Sequence, residues 1–189
     1  MPVRLVAVTA LVVRDAARSD AAAIATVRVA GWRAAYAGIL AEDVLAALDP
    51  AADAARWLAN WDGGALRRRV AVLGGTVVGF TITGPYRATD DDPAWPSGTD
   101  DGEVMAVYVD PGTWSRGVGG ALLTDAVEVL RYAGHPVARL WVLAANTRAR
   151  RFYAGHGFVD EEPLGVVAPF TPRGGRPVPE VRFSRSLTR

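Results

Sequence analysis

The run Ser115-Arg116-Gly117-Val118-Gly119-Gly120 limits this chain more than any other segment, because of what flanks it. Before it, Glu103 to Asp110 (EVMAVYVD) reads as a central strand, closed by Pro111-Gly112. After it, Leu122, Leu123, Ala126, Val127 and Leu130 share one side of a helix, with Asp125, Glu128 and Arg131 on the other. Gly134 and Pro136 stop that helix, and Arg139 to Leu143 (RLWVL) supplies a second strand. Right-handed crossover makes the two strands parallel neighbours. The glycines at 117, 119 and 120 let several backbone N–H groups converge at the positive end of the helix, where an anion such as phosphate is stabilised. Arg116 can add a charge-assisted contact. A plain tight turn would use the same glycines, so spacing has to decide which ligand, if any, is meant.

Two common phosphate ligands fail on spacing. A dinucleotide fingerprint needs a third glycine where Leu122 stands, and a P-loop needs a lysine, whereas this chain has none. There is no cysteine, and His135 and His156 are too few and too far apart for a metal site, so no metal is expected. A net charge of +1, with 21 basic against 20 acidic residues, points to neither nucleic acid nor a membrane surface as partner. No apolar run has bilayer-spanning length. The opening MPVRLVAVTA continues apolar through Leu11, Val12 and Val13, so it reads as the start of a strand rather than as a signal peptide, and a cytoplasmic chain is expected. A length of 189 residues, half of them apolar, suits one domain over 1–189, with residues 1–10 in the first strand or a tail before it.

Around the central unit, a strand is expected at Leu5 to Arg14. Ser19 and Asp20 then offer capping oxygens to a helix carrying Ile24, Val27, Gly31 and Ala34. Helices should cover Glu42 to Leu48 and run from Asp49-Pro50 to about Trp61, ending at Gly63-Gly64. Arg69 to Leu73 and Thr76 to Thr83 form a hairpin about Gly74-Gly75. Gly84 to Gly102 reads as a long loop whose aspartates, Asp90 to Asp92 with Asp100 and Asp101, form a solvated face. A helix is expected at about Thr147 to Ala154, and late strands at Phe158 and at Val181 to Ser186.

VDPGTWSRGVGGALL, Val109 to Leu123, resembles the acetyl-CoA signature of the GNAT superfamily, in which a strand ending V-x-P leads through Q/R-x-x-G-x-G/A into a helix. LWVLAANTRARRFYAGHGF, Leu140 to Phe158, is similar to the family's later segment: a strand, an Asn, a Tyr seven residues on, and a closing Gly-Phe. One departure is Trp114, which stands where the family usually has Gln or Arg.

The resemblance implies a mixed α/β GNAT fold: a mostly antiparallel central sheet with a splayed parallel strand pair and flanking helices. It implies acetyl-CoA as cosubstrate, its pantetheine arm pairing with the exposed edge Val107, Tyr108 and Val109, and its pyrophosphate on Ser115, Arg116, Gly117, Val118, Gly119 and Gly120. Asn146 would contact the cofactor, although a helix N-cap is an equal role for it. Tyr153 would donate a proton to the departing thiolate, the alternative being a core aromatic. Glu103 would act as base, directly or through water, the alternative being a solvent-facing polar residue at a strand end. Trp32 and Tyr36, one turn apart, would wall the acceptor site or simply pack in the core, as Trp57 and Trp61 do. The function expected is transfer of an acetyl group to a primary amine of a small molecule or peptide by direct attack. A CoA-binding sensor of the same fold without chemistry is the alternative, and a homodimer is left open as the assembly.

Overall fold

The computed structural model describes residues 10–62, 64–87, 100–164 and 166–188. In chain order the elements are β1 (Leu11–Asp15), α1 (Ala21–Ala35), α2 (Glu42–Ala46), α3 (Pro50–Ala59), β2 (Arg67–Leu73), β3 (Thr76–Pro85), β4 (Gly102–Val109), α4 (Val118–Tyr132), β5 (Val137–Leu143), α5 (Thr147–Gly155), β6 (Val159–Asp160), β7 (Val167–Phe170) and β8 (Val178–Ser186). The strands form one eight-stranded sheet in the order β1-β2-β3-β4-β5-β8-β6, with β7 also on β8. Every pairing in it is antiparallel except that of β4 with β5.

Local chemistry explains most of the boundaries. Gly74 and Gly75 take φ of 59° and 82°, the left-handed values a two-residue hairpin turn requires, and so join β2 to β3. The Asp49 carboxylate accepts from the Ala51 N–H and Pro50 occupies the first turn, which starts α3 where the sequence expects it. Asp20 behaves differently from expectation. Its carboxylate accepts from the Ala17 N–H at 2.8 Å and from both terminal nitrogens of Arg14, which closes a 3₁₀ turn and leaves it unable to cap α1.

Other differences are matters of extent. The first strand is seen from Leu11 to Asp15, and the part expected from Leu5 to Thr9 lies outside the described residues. The helix expected to reach Leu48 ends at Ala46, and the one expected to reach Trp61 ends at Ala59, capped by Asn60. Gly63 and Asp90 to Asp92 also fall outside the described residues. β7 was not expected, because Pro169 interrupts its short apolar run; as the last strand on its side it tolerates the missing N–H. Phe158 precedes β6 and is core.

The parallel pair that the crossover argument calls for exists over only two positions, Gly102↔Ala138 and Glu103↔Arg139. β5 is then held along its whole length by β8, while β4 stays on β3 as far as Val109. A register shift between Ile82 and Thr83 adds to the divergence. On one face of the sheet Val104, Ala138, Leu140, Val142, Val181 and Phe183 pack with Leu123, Ala126, Val127 and Leu130 of α4 and with Tyr153 of α5. On the other, α1 packs Ile24 and Val27 against Val70 and Phe80.

Asp101 is a correction to the solvated-face reading. Its carboxylate meets Arg139 Nε at 2.7 Å, with only 6% and 4% of the two side chains exposed. It stands just before β4, inside the molecule, and the charge is tolerated because a guanidinium is there to meet it. Asp101→Asn leaves Arg139 with less compensation, so a urea midpoint should report a loss of about 3 kcal/mol, at the low end for a broken buried pair because Glu161 also binds Arg139.

Candidate active site

Where β4 and β5 part, a cleft of about 460 Å³ opens between β4, the turn before α4, and α5. Val107, Tyr108 and Val109 line it, and beyond Glu103 this edge of β4 has no partner strand. Ser115, Gly117, Gly119 and Gly120 line its other end. Gly117 is the N-cap of α4 with φ of 80°; a Cβ there would touch nothing, so glycine answers the backbone angle and not a lack of space. Ser115 takes φ of 62°, a value costly for a residue with a side chain and therefore imposed by its surroundings. The first N–H groups of α4, which follow Gly117, have no intrahelical partners.

Two residues of the predicted run turn their side chains away from the cleft. Val118 is 1% exposed and its side chain belongs to the core, so only its backbone can contribute. Arg116 is exposed and does not line the cleft, because the turn directs it outward. The cationic group at the cleft is Arg148 of α5, which sequence reading missed. Its guanidinium lies 3.7 Å from the ring centroid of Trp114, whose indole N–H donates to the Val109 carbonyl at 2.9 Å. No local signal marks this contact in the sequence, because Trp114 and Arg148 meet only through the fold. That indole also occupies one acceptor of the exposed β4 edge.

Asn146 is the N-cap of α5, its Oδ1 accepting from the Ala149 N–H at 3.1 Å, and it also lines the cleft. Tyr153 is buried, and its hydroxyl has no hydrogen bond to any described residue. Burial first, then the neighbouring Tyr108, pushes its phenol up, so it keeps its proton through the neutral range. Phe152 beside it lines the cleft, only partly buried.

A second cavity, of about 290 Å³, lies across the splay, and Tyr36, Val107, Tyr108 and Tyr153 line both. Tyr36 and Tyr108 bring their hydroxyl oxygens to 3.3 Å. Burial, then Tyr108, raises the Tyr36 phenol too. Trp32 lines this second cavity while packing edge-on against Tyr36 at 5.2 Å and Phe170 at 6.1 Å, so wall and core are one role here. Its indole N–H has no partner among the described residues. Trp57 and Trp61 are partly buried against the core beside Phe80.

Glu103 also lines this cavity but is 2% exposed rather than solvent-facing. Arg87 donates to it three times: Nη2 to Oε1 at 2.7 Å, and Nε and the backbone N–H to Oε2 at 3.0 and 3.1 Å. The carboxylate that sequence reading missed is Glu180 of β8, in register with Leu143 on β5. Strand alternation from Arg182 back to Glu180 was the available signal. Burial pushes the Glu180 carboxyl up to about 7, the Glu103 charge adding to the effect and Arg87 opposing it.

Residues 32–158 match the Acetyltransferase (GNAT) family. The Bacillus subtilis protein YuaI, an uncharacterized N-acetyltransferase, is 30% identical over 134 residues, covering 71% of this chain and 72% of that one. An uncharacterized N-acetyltransferase of Methanocaldococcus jannaschii is 37% identical over 60 residues, 32% of this chain, and the match spans only 26% of that relative's length. The PaiA N-acetyltransferase of Thermoplasma acidophilum, solved in complex with coenzyme A, superposes with a TM-score of 0.68 at 16% identity, covering 94% of this chain and 99% of that one. YncA of Salmonella typhimurium, solved with acetyl-CoA, gives 0.63 at 21% identity, covering 95% of each. At those identities the structures speak for the fold, and the family match and YuaI for descent. A sheet splayed at its one parallel pair, a glycine turn opening α4 and a tyrosine on α5 at the splay have their common explanation there: the chain belongs to the GNAT acetyltransferase family.

Proposed function

We propose that this protein transfers an acetyl group from acetyl-CoA to a primary amine by direct attack. The observation that carries the reading is the junction of the two cavities at Tyr36, Val107, Tyr108 and Tyr153, which puts three phenols, Tyr153 among them, within reach of both reactants. The cleft fits the cosubstrate: the open β4 edge offers amide pairing, the N–H groups of α4 and the Arg148 guanidinium offer anion contacts, and Asn146 and Phe152 line the wall between. Bound there, acetyl-CoA supplies an acetyl group activated as a thioester.

The chain's own part is to orient, to polarise and to move protons. Free N–H groups of the β4 edge stabilise charge developing on the carbonyl oxygen as the amine nitrogen bonds to carbon. Tyr153 holds a proton that the departing sulfur can take as the C–S bond breaks. An ammonium must lose its proton before it can attack, so a base belongs in the second cavity, where two carboxylates stand. A CoA sensor without chemistry would need neither a buried, unbonded tyrosine hydroxyl nor carboxylates behind it. Among the described residues no helix is long and apolar enough to cross a membrane.

Three outcomes test this reading. CoA at 100 times its Kd should add about 2.7 kcal/mol of stability in a melting experiment, and no shift at millimolar CoA would remove its basis. Gly119→Asp should weaken CoA binding at least about tenfold by calorimetry, because a carboxylate enters the anion site. The fold should survive, since a Cβ at Gly119 lies no nearer than 3.4 Å to Phe152. Tyr153→Phe should lower turnover by up to about 10²-fold while leaving CoA affinity unchanged; full turnover with chemistry rate-limiting would return Tyr153 to a packing role.

A further inference from the structure

The cavity across the splay lies against a face of the sheet with a concentration of charge. Asp101 binds Arg139, Glu161 binds both Arg139 and Arg182, and Glu103 binds Arg87. Three guanidiniums therefore serve three of the four carboxylates. Glu180 is the fourth: it lines the cavity, is partly buried, and receives no hydrogen bond or salt bridge from any described residue. We propose that Glu180, and not Glu103, receives the ammonium of the acceptor and takes its proton, so that the acceptor is a cationic primary amine with an apolar body. The inference deepens the acetyl-transfer reading and rests on it.

Three observations support it. First, the groups around Glu180 leave it as the site's unmatched charge. From β4 it faces Glu103 and Tyr108, from the segment after β3 Arg87, from the end of α1 Tyr36, and from α5 Tyr153. On its own strand Arg182 is engaged by Glu161, and its strand neighbours opposite are Leu143 and Ala168. An anion beside a second anion, away from bulk water, is stabilised most by a cation entering the cavity. Second, both oxygens of Glu103 are already engaged by three hydrogen bonds from Arg87, so it is the less open of the two to an incoming ammonium; its role is to position Arg87 and to set the field at Glu180. Third, Trp32, Tyr36, Trp141 and Phe170 give the cavity aromatic walls, which favour an alkyl or arylalkyl ammonium over an acidic or zwitterionic amine.

The proton balance closes without another reactant. An ammonium N–H bond breaks, a Glu180 O–H bond forms, and a +1/−1 pair becomes two neutral groups, with the nitrogen lone pair free to attack. Because that carboxyl titrates near 7, it returns the proton to water between turnovers.

The test uses the full chain with acetyl-CoA, reading free thiol release with phenethylamine, tryptamine, a linear diamine, amino acids and a short peptide as acceptors. The expected acceptors are amines lacking a carboxylate. With the best of them, kcat/KM should rise tenfold per pH unit below about 7 and then level, and Glu180→Gln should lower it by about 10² or more, abolish that inflection and leave CoA affinity intact. Glu180→Gln with a rate within threefold of the original and the same inflection would overturn the inference while leaving acetyl transfer standing. If that variant does not fold, a wild-type profile flat between pH 6 and 8 would overturn it equally. CoA binding without turnover on any amine would bring down the acetyl-transfer reading and this inference with it.

Discussion

β4 and β5 begin as parallel neighbours and exchange hydrogen bonds only at Gly102 and Glu103, although β4 runs on to Val109. The reason lies in what each strand is tied to. β5 is bound along seven positions to β8, and β4 along its other edge to β3, which carries a register shift near the point of parting. Two sheet halves, each internally paired and each twisted, cannot stay in register across a pair that shares no further ladder. The backbone groups left on β4 must find other partners, and a ligand bearing amides is one that suits them. Both cavities exist because of this divergence, and Tyr153 stands between them because α5 returns beside it.

The buried charges follow from the same geometry. Glu103 stands at the last position of β4 paired with β5, Asp101 immediately precedes the strand, and Arg139 on β5 is the cross-strand neighbour of Glu103. The guanidinium of Arg139 goes to Asp101 and Glu161, and that of Arg87 takes Glu103. Such pairs add little net stability over apolar replacements, but each one fixes a side chain whose displacement would strand its partner. The result is a polar floor in which, among the described residues, Glu180 is the carboxylate that receives no hydrogen bond or salt bridge, at the edge where the floor meets the aromatic wall.

Charge is placed in a similar way at the cleft beside the glycine turn. Trp114 occupies the position where the family usually has a polar or cationic side chain, yet its ring supports Arg148 from a different element. The positive field at the turn is thereby kept, with its source moved from the loop to α5. Arg116, the cation that the loop itself carries, faces solvent.

What the sequence determined by itself is local. Strand alternation, the helical spacing of Leu122 to Leu130, the Gly74-Gly75 turn, the Asp49-Pro50 start of α3 and the glycine turn at 117–120 each depend on residues a few positions apart, and each is found where expected. The cleft residues Val107 to Val109, Asn146 and Tyr153 were legible through the resemblance to the family, whose motifs attach them to those elements at fixed offsets. The charge states of the second cavity were not. Whether Glu103 or Glu180 is the unmatched carboxylate depends on where Arg87, Arg139 and Arg182 reach, and these come from segments up to about a hundred residues apart, joined only through the sheet. Asp101 looked like part of a solvated run because composition cannot say which aspartate of a cluster turns inward. That is decided by the burial of the β4 start and the presence of Arg139 opposite it, both properties of the tertiary structure alone, because desolvation and pairing are felt through space and not along the chain.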